Sequence, residues 1–313
     1  MGTKALPLLL AIPLASACAS ARSSRSPAPP ADPAAKAERG LAHEQLQAVL
    51  WMQSSAEYEV LSRATYEAAA AALSRALADK TWTAAVEQSG DFSDKPPAVI
   101  VDIDETVLDN SPFQGQLVLD ATAYSPEAWN DWVSRASARA IAGAIDFARA
   151  AAERKVVVFY VTNRAADLEP VTLRNLMCAE KEADGSCTGF PVPDRTAILC
   201  RDETPPEGGP RWTPDKTERR RYLAERYRIL LLVGDDLRDF VYTPERVTPE
   251  GRVALAREHS AKWGSRWFLL PNPAYGSWDR ALYGDALDDK GVLEAKRAKV
   301  RGFRSAGTSG PQE

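Results

Sequence analysis

The sequence predicts an α/β protein built on a parallel sheet, and three stretches carry that prediction. "AVIVDIDETVLDN", from Ala98 to Asn110, is an apolar run rich in β-branched residues that ends abruptly in Asp102, Asp104 and Glu105, with Thr106 behind them. "KVVVFYVTNR" closes on Thr162, and "YRILLLVGDDLRDF" closes on Gly234, Asp235, Asp236 and Asp239. Runs of this kind are buried on both faces, as in parallel sheets whose helices cover them. The polar residues then emerge at the strands' C-terminal ends, where open α/β sheets hold their ligands. Further strands are expected near Thr196 and Trp267, giving five with those near Ala98, Val156 and Ile229.

The chain is 313 residues long, and its first part reads as an address. After Lys4, Ala5 to Leu14 is apolar and leads into "ASAC" ending at Cys18. A span this short cannot cross a bilayer, which takes about 20 apolar residues, so residues 1–18 read as a processed signal. The small residues before the cysteine resemble a bacterial lipobox, with Ala15 in place of the more usual Leu. Lipidation of Cys18 is the expectation, with Ala19 rather than Asp pointing to the outer membrane. Residues 19–36, rich in Ala, Ser and Pro, cannot bury enough surface to fold and read as a disordered tether. A folded domain is expected over 37–303, and residues 304–313 as a flexible tail.

The folded part opens with helix, about 40–80. Ser54 and Glu57 have the spacing of a capping box, and Tyr58, Leu61, Thr65, Ala69, Leu73 and Leu77 recur at helical spacing. Downstream, "TPDKTERRRYLAERY" predicts a helix with Thr213 as N-cap and Pro214 in its first turn. Lys216 is then near a helix N-terminus, within reach of a bound anion, with Arg219 as the alternative cation.

The DxD pair followed by Thr, and more specifically the string "DIDETVLDNSP", resembles the haloacid dehalogenase-like (HAD) phosphohydrolases, in the branch of class C acid phosphatases and lipoprotein e(P4) nucleotidases. "WMQSSAEYEVL" resembles the N-terminal helix of the e(P4) type, and "GDDLRD" matches the GDxxxD pattern of the wider family. The resemblance runs from about Leu46 to Lys290. It implies a HAD-like Rossmannoid sheet of order 5-4-1-2-3, helices on both faces, and a small helical N-terminal and cap subdomain. An insertion at about 113–147 is the cap.

The same resemblance implies roles. Asp102 is the nucleophile and Asp104 the acid/base, which carries the proton for the leaving oxygen and then for water. Thr162 and Lys216 complete the catalytic set. Mg²⁺ is the implied cofactor, held by Asp102, the Asp104 backbone carbonyl and Asp235, with Asp239 steadying its water shell and Asp236 either a helper or a helix cap. Asn163 and Arg164 are expected to contact substrate. Trp129 and Tyr275 fall where e(P4)-type enzymes place rings against a nucleobase. The insert "CRDETPPEGGPRW" before Lys216 departs from the shorter e(P4) pattern.

The implied activity is an Mg²⁺-dependent phosphomonoesterase of the bacterial envelope, acting on nucleoside 5′-monophosphates. Two alternatives stand beside it: a broad acid phosphatase or phosphotransferase without nucleotide preference, and a non-catalytic ligand-binding surface lipoprotein on the same scaffold. Composition narrows the rest. With 39 basic and 43 acidic residues the net charge is −4, and the basic runs are short helical faces, so polymeric nucleic acid is not an expected partner. Only His43 and His259 are present, which argues against a histidine-rich metal site. Among Cys178, Cys187 and Cys200, a Cys178–Cys187 bridge leaves Cys200 buried in a strand, while a pairing through Cys200 stays open.

Overall fold

The structure, a computed structural model, describes residues 43–284 and 289–301. The signal segment, Cys18, the tether and the tail expected over 304–313 lie outside the described residues. In chain order the helices are α1 (Leu46–Ser54), α2 (Ala56–Ala78), α3 (Ser111–Asp120), α4 (Pro126–Ser134), α5 (Ala144–Glu153), α6 (Glu169–Met177), α7 (Thr217–Arg226), α8 (Pro249–Glu258), α9 (Ser277–Arg280) and α10 (Asp289–Lys299). The strands are β1 (Pro97–Val101), β2 (Leu108–Asp109), β3 (Arg139–Ala140), β4 (Val157–Ala165), β5 (Glu180–Lys181), β6 (Cys187–Thr188), β7 (Ile198–Arg201), β8 (Arg228–Gly234) and β9 (Trp267–Leu269).

Five strands form one parallel sheet in the order β7-β4-β1-β8-β9. Counted along the chain this is the expected 5-4-1-2-3. All seven residues of β8 and the last four of β1 are buried, as their unbroken apolar runs require. One face of the sheet packs on α2 and α5 through Tyr66, Leu73, Phe147 and Ala148. The other is covered by α7 and neighbouring loops through Trp212, Leu223, Leu237 and Phe240. Each large apolar side chain so buried contributes about 1.5–3 kcal/mol.

Local details depart from the sequence reading. Ser55, not Ser54, caps α2 by accepting from the Tyr58 N–H at 3.1 Å, while Ser54 bonds back to Leu50. The buried stripe of α2 runs through Tyr58, Ser62, Tyr66, Ala69, Leu73 and Ala76, and Leu61 is half exposed. Tyr66 decides this rotation: its ring packs against Phe147 and its hydroxyl donates to the Thr106 carbonyl at 2.6 Å. Helix α7 begins at Thr217, four residues after the expected cap, because Asp215 rather than Thr213 accepts from the Thr217 N–H. The segment read as a cap holds most of α3, all of α4 and β3, which pairs with β2 just before the segment, whereas Ala144 and Phe147 belong to α5 and the sheet core. Cys178 and Cys187 form a disulfide with Cα atoms 4.9 Å apart, closing the β5–β6 hairpin. Cys200 is a free, fully buried cysteine whose thiol burial pushes up to about 12, too high for reactivity.

Candidate active site

Because β1, β4 and β8 are adjacent and parallel, the residues at their C-terminal ends share one edge of the sheet. Strand β1 stops at Val101, and the chain bends through Asp102–Val107, with Glu105 in the left-handed region at φ 54°. In an extended strand Asp102 and Asp104 would share one face; the bend instead carries the Asp104 side chain to Arg164 and Asn110 while Asp102 stays with Lys216. Strand β8 delivers Asp235, and the short turn after it, capped by Asp236, returns Asp239. Gly234 is required here for close approach rather than for a tight turn: a Cβ would overlap the Asp239 carboxyl.

Asp102, Asp235 and Asp239 each bring a carboxylate oxygen within 4.8 Å of the others, a geometry that can hold a metal ion. Lys216, almost fully buried, donates from Nζ to Asp102 and, at 2.6 Å, to Asp239. Asp235 accepts from Thr106 Oγ1 at 3.2 Å and from Asn272 Nδ2 at 2.8 Å. Burial pushes the Asp102 carboxyl up to about 7, with Lys216 pulling the other way. Asp235 rises well above the ordinary carboxylate range through burial first, then through Asp239 and Asp102. Burial works against the Lys216 ammonium, but Asp102 and Asp239 outweigh it and its pKa rises. Three carboxylates against one ammonium leave two formal negative charges, the charge of one divalent cation, and an all-oxygen donor set suits a hard one.

Asp104 stands apart from this cluster. Its Oδ1 accepts from Arg164 Nε at 3.0 Å and Nη2 at 2.8 Å, and from Asn110 Nδ2 at 2.9 Å. Its side chain is thus engaged by Arg164 and Asn110, not by the carboxylate cluster. Arg164, expected to contact substrate, is 1% exposed, and its guanidinium donates to Asp104 and to Thr172. Asn163 is exposed, but its side-chain oxygen accepts from Arg219 at 2.7 Å. Arg219, the alternative cation, spends its donors on Asn163 and on the Thr162, Thr213 and Pro214 carbonyls, shaping the loop while Lys216 enters the site. Thr162 is fully buried, its hydroxyl oxygen accepting from the Arg164 N–H at 3.0 Å.

Asp236 is a cap: it accepts from the Arg238 N–H, and from the N–H and hydroxyl of Ser277. It therefore pins the segment carrying Asn272 and Tyr275 instead of joining the cluster. The two expected base-binding rings have different surroundings. Trp129 packs edge-on to Phe113 at 5.2 Å, with the Arg164 guanidinium 5.7 Å from its ring. Tyr275 packs beside Met52, Tyr58 and Ala274, and its hydroxyl donates to Glu105. Neither His43 nor His259 belongs to the cluster.

Thr106, Asn110 and Asn272 went unassigned from sequence, although the first two stand inside the Ala98–Asn110 string and Asn272 lies three residues before Tyr275. Their signal was a polar residue within an otherwise apolar or turn-forming string, which has too many ordinary causes to specify a partner.

Residues 15–278 match the family described as HAD superfamily, subfamily IIIB (acid phosphatase). The fold is similar to that of the class C acid phosphatase from Bacillus anthracis, with a TM-score of 0.70 and 30% identity over 85% of this chain and 100% of that one. A second structure of the Bacillus anthracis enzyme, with tungstate bound, is similar at a TM-score of 0.69 and 29% identity over the same shares.

Proposed function

This chain belongs to the HAD superfamily subfamily IIIB acid phosphatases, a family of phosphomonoesterases, and from that premise we propose that it works through an aspartyl-phosphate on Asp102. The observation that carries the proposal is the Asp102 carboxylate, buried at the sheet edge between Lys216 and Asp235, with Asp104 two residues on. An oxygen of Asp102 attacks phosphorus as the bond to the ester oxygen breaks, and Asp104 gives that oxygen a proton. Water then attacks the same phosphorus, Asp104 takes its proton, and the bond to Asp102 breaks to release phosphate. Thr162, with its hydroxyl hydrogen still available, and the Lys216 ammonium hold phosphoryl oxygens through both steps. Mg²⁺ held by Asp102, Asp235, Asp239 and the Asp104 carbonyl would offset the charge of the phosphate dianion.

The substrate class we propose is nucleoside 5′-monophosphates. The support is two partly buried rings next to the motif that begins at Asp102, Trp129 beside the Asp104–Arg164 pair and Tyr275 beside Glu105. Stacking on an aromatic ring contributes about 1–3 kcal/mol per base and tolerates any base. Trp129→Ala should therefore raise KM for nucleotides about 5- to 150-fold while sparing kcat/KM for a small aryl phosphate, and Tyr275→Ala should raise it by a similar factor beyond any loss that Tyr275→Phe shows. Tyr275→Phe, which keeps the ring and loses the Glu105 contact, should retain nucleotide affinity. Equal losses on both substrates would assign the rings to packing.

Placement in the envelope rests on the sequence around Cys18. Among the described residues no helix is long and apolar enough to cross a membrane, so a lipid on Cys18 is the proposed anchor. Mass spectrometry of the mature protein should find a di- or triacylated N-terminal Cys18, and Cys18→Ser should release the enzyme from the membrane fraction. A mature chain that starts after Cys18 excludes the anchor.

A further inference from the structure

Asn110 is fully buried and immediately precedes α3, the usual place for a helix cap, yet its side chain makes no capping hydrogen bond. Asn is among the strongest capping residues, so a side chain turned away from that role serves another. Its amide nitrogen donates to Asp104 Oδ1 at 2.9 Å, and its amide oxygen accepts from Trp132 Nε1 of α4 at 2.8 Å. An indole N–H can only donate, so Trp132 dictates which end of the amide is oxygen and points the NH₂ group at Asp104. The Asn110 backbone is fixed as well, its N–H donating to Glu105 Oε1 at 2.9 Å.

We propose that Asn110 is a positioning residue for the reaction, through which Trp132 of the cap sets the orientation of the Asp104 carboxyl group. Two donors from Arg164 and one from Asn110 saturate Oδ1 of Asp104. Oδ2, with only Arg164 Nε at 3.4 Å among the described residues, is then the oxygen that carries the proton exchanged with the leaving group. Without Asn110 the carboxyl is held by Arg164 alone and gains freedom to turn about its terminal bond, so Oδ2 faces the breaking bond for less of the time. The inference rests on the assignment of Asp104 as acid/base, and the test separates the two.

The experiment compares kcat/KM, which reports the first phosphoryl transfer, for 4-nitrophenyl phosphate and for an alkyl phosphate whose leaving oxygen needs a proton. Asp104→Asn should lose far more on the alkyl ester, as expected for an acid contributing on the order of 10²–10⁴-fold. Asn110→Ala should show the same bias, losing about 10- to 100-fold on the alkyl ester and less than about 3-fold on the aryl ester. Trp132→Phe, which keeps the ring and removes one N–H, should show a smaller loss of the same bias and add nothing further on the Asn110→Ala background. If Asp104→Asn discriminates while Asn110→Ala and Trp132→Phe lose equally on both esters, the positioning role is overturned and the acid assignment stands. An unbiased Asp104→Asn overturns both. Independent losses in the double variant overturn the route through Trp132.

Discussion

Replacing Asp102 with Asn should lower kcat/KM by on the order of 10⁴-fold or more, the scale on which a covalent catalytic unit fails when its nucleophile is removed. The substitution is close to isosteric, and its amide oxygen can still accept from Lys216. It also removes one of three crowded carboxylates, so the variant should fold at least as stably as the parent. Burial already raises the Asp102 carboxyl, which marks its ionised form as costly in this pocket. Loss of activity with retained or increased Tm would therefore be a chemical effect. Quenching the parent enzyme during turnover should trap phosphate on the peptide containing Asp102, and the variant should trap none. Turnover within about 100-fold of the parent would mean that phosphorus is attacked by another group, and the reading of the β1 motif would fall.

The elements that place the site were legible because strand burial leaves a coarse mark. An apolar run such as Ile229–Val233 can hardly be anything but a covered strand, and carboxylates directly after it must sit at the sheet edge. What escaped was set by contacts between residues far apart in sequence. Nothing near Arg164 announces that its guanidinium reaches back 60 residues to Asp104. In α2 an alanine-rich helix offers several plausible faces, and the choice among them is made by Tyr66, whose phenol needs both a packing surface and the Thr106 carbonyl. Nothing local in the sequence announces why residue 234 is glycine, which the packing of Asp239 where a side chain would be requires.

The same contacts explain why the motif is long. Glu105 adopts a left-handed conformation, which costs a non-glycine residue on the order of 1 kcal/mol or more, and is held there by Asn110 and Tyr275. Burial, then the neighbouring Asp104, Asp235 and Asp109 charges, keep its carboxyl well above the ordinary range. The residues after the DxD pair are thus support for its geometry, and a variant enzyme that keeps only Asp102 and Asp104 would lose the bend that aims them.

Removing the metal should abolish activity, and its return should stabilise the fold in a pH-dependent way. Asp102 and Asp235 both have folded-state pKa values raised above their unfolded ones. The folded protein therefore binds more protons than the unfolded chain between about pH 4, where an exposed aspartate titrates, and the raised values, and stability falls as pH rises through that window. For the metal-free enzyme these groups favour the acid end, and their cost is complete for Asp102 above about pH 7. A divalent cation replaces those protons, so its affinity should climb across the same window, with proton release on binding. At about 100 times its dissociation constant a ligand adds about 2.7 kcal/mol to stability. The rise in Tm on adding Mg²⁺ should accordingly be small near pH 4.5 and several degrees by pH 7.5, and isothermal titration in buffers of different ionisation enthalpy should detect the released protons. Asp235→Asn keeps the Asn272 contact through its side-chain oxygen while removing a charge, and should shrink both the Tm shift and the proton release. Activity that survives exhaustive chelation, with metal analysis confirming removal, would contradict the cation site, as would a Tm shift by Mg²⁺ that is equal at both pH values and unchanged in Asp235→Asn.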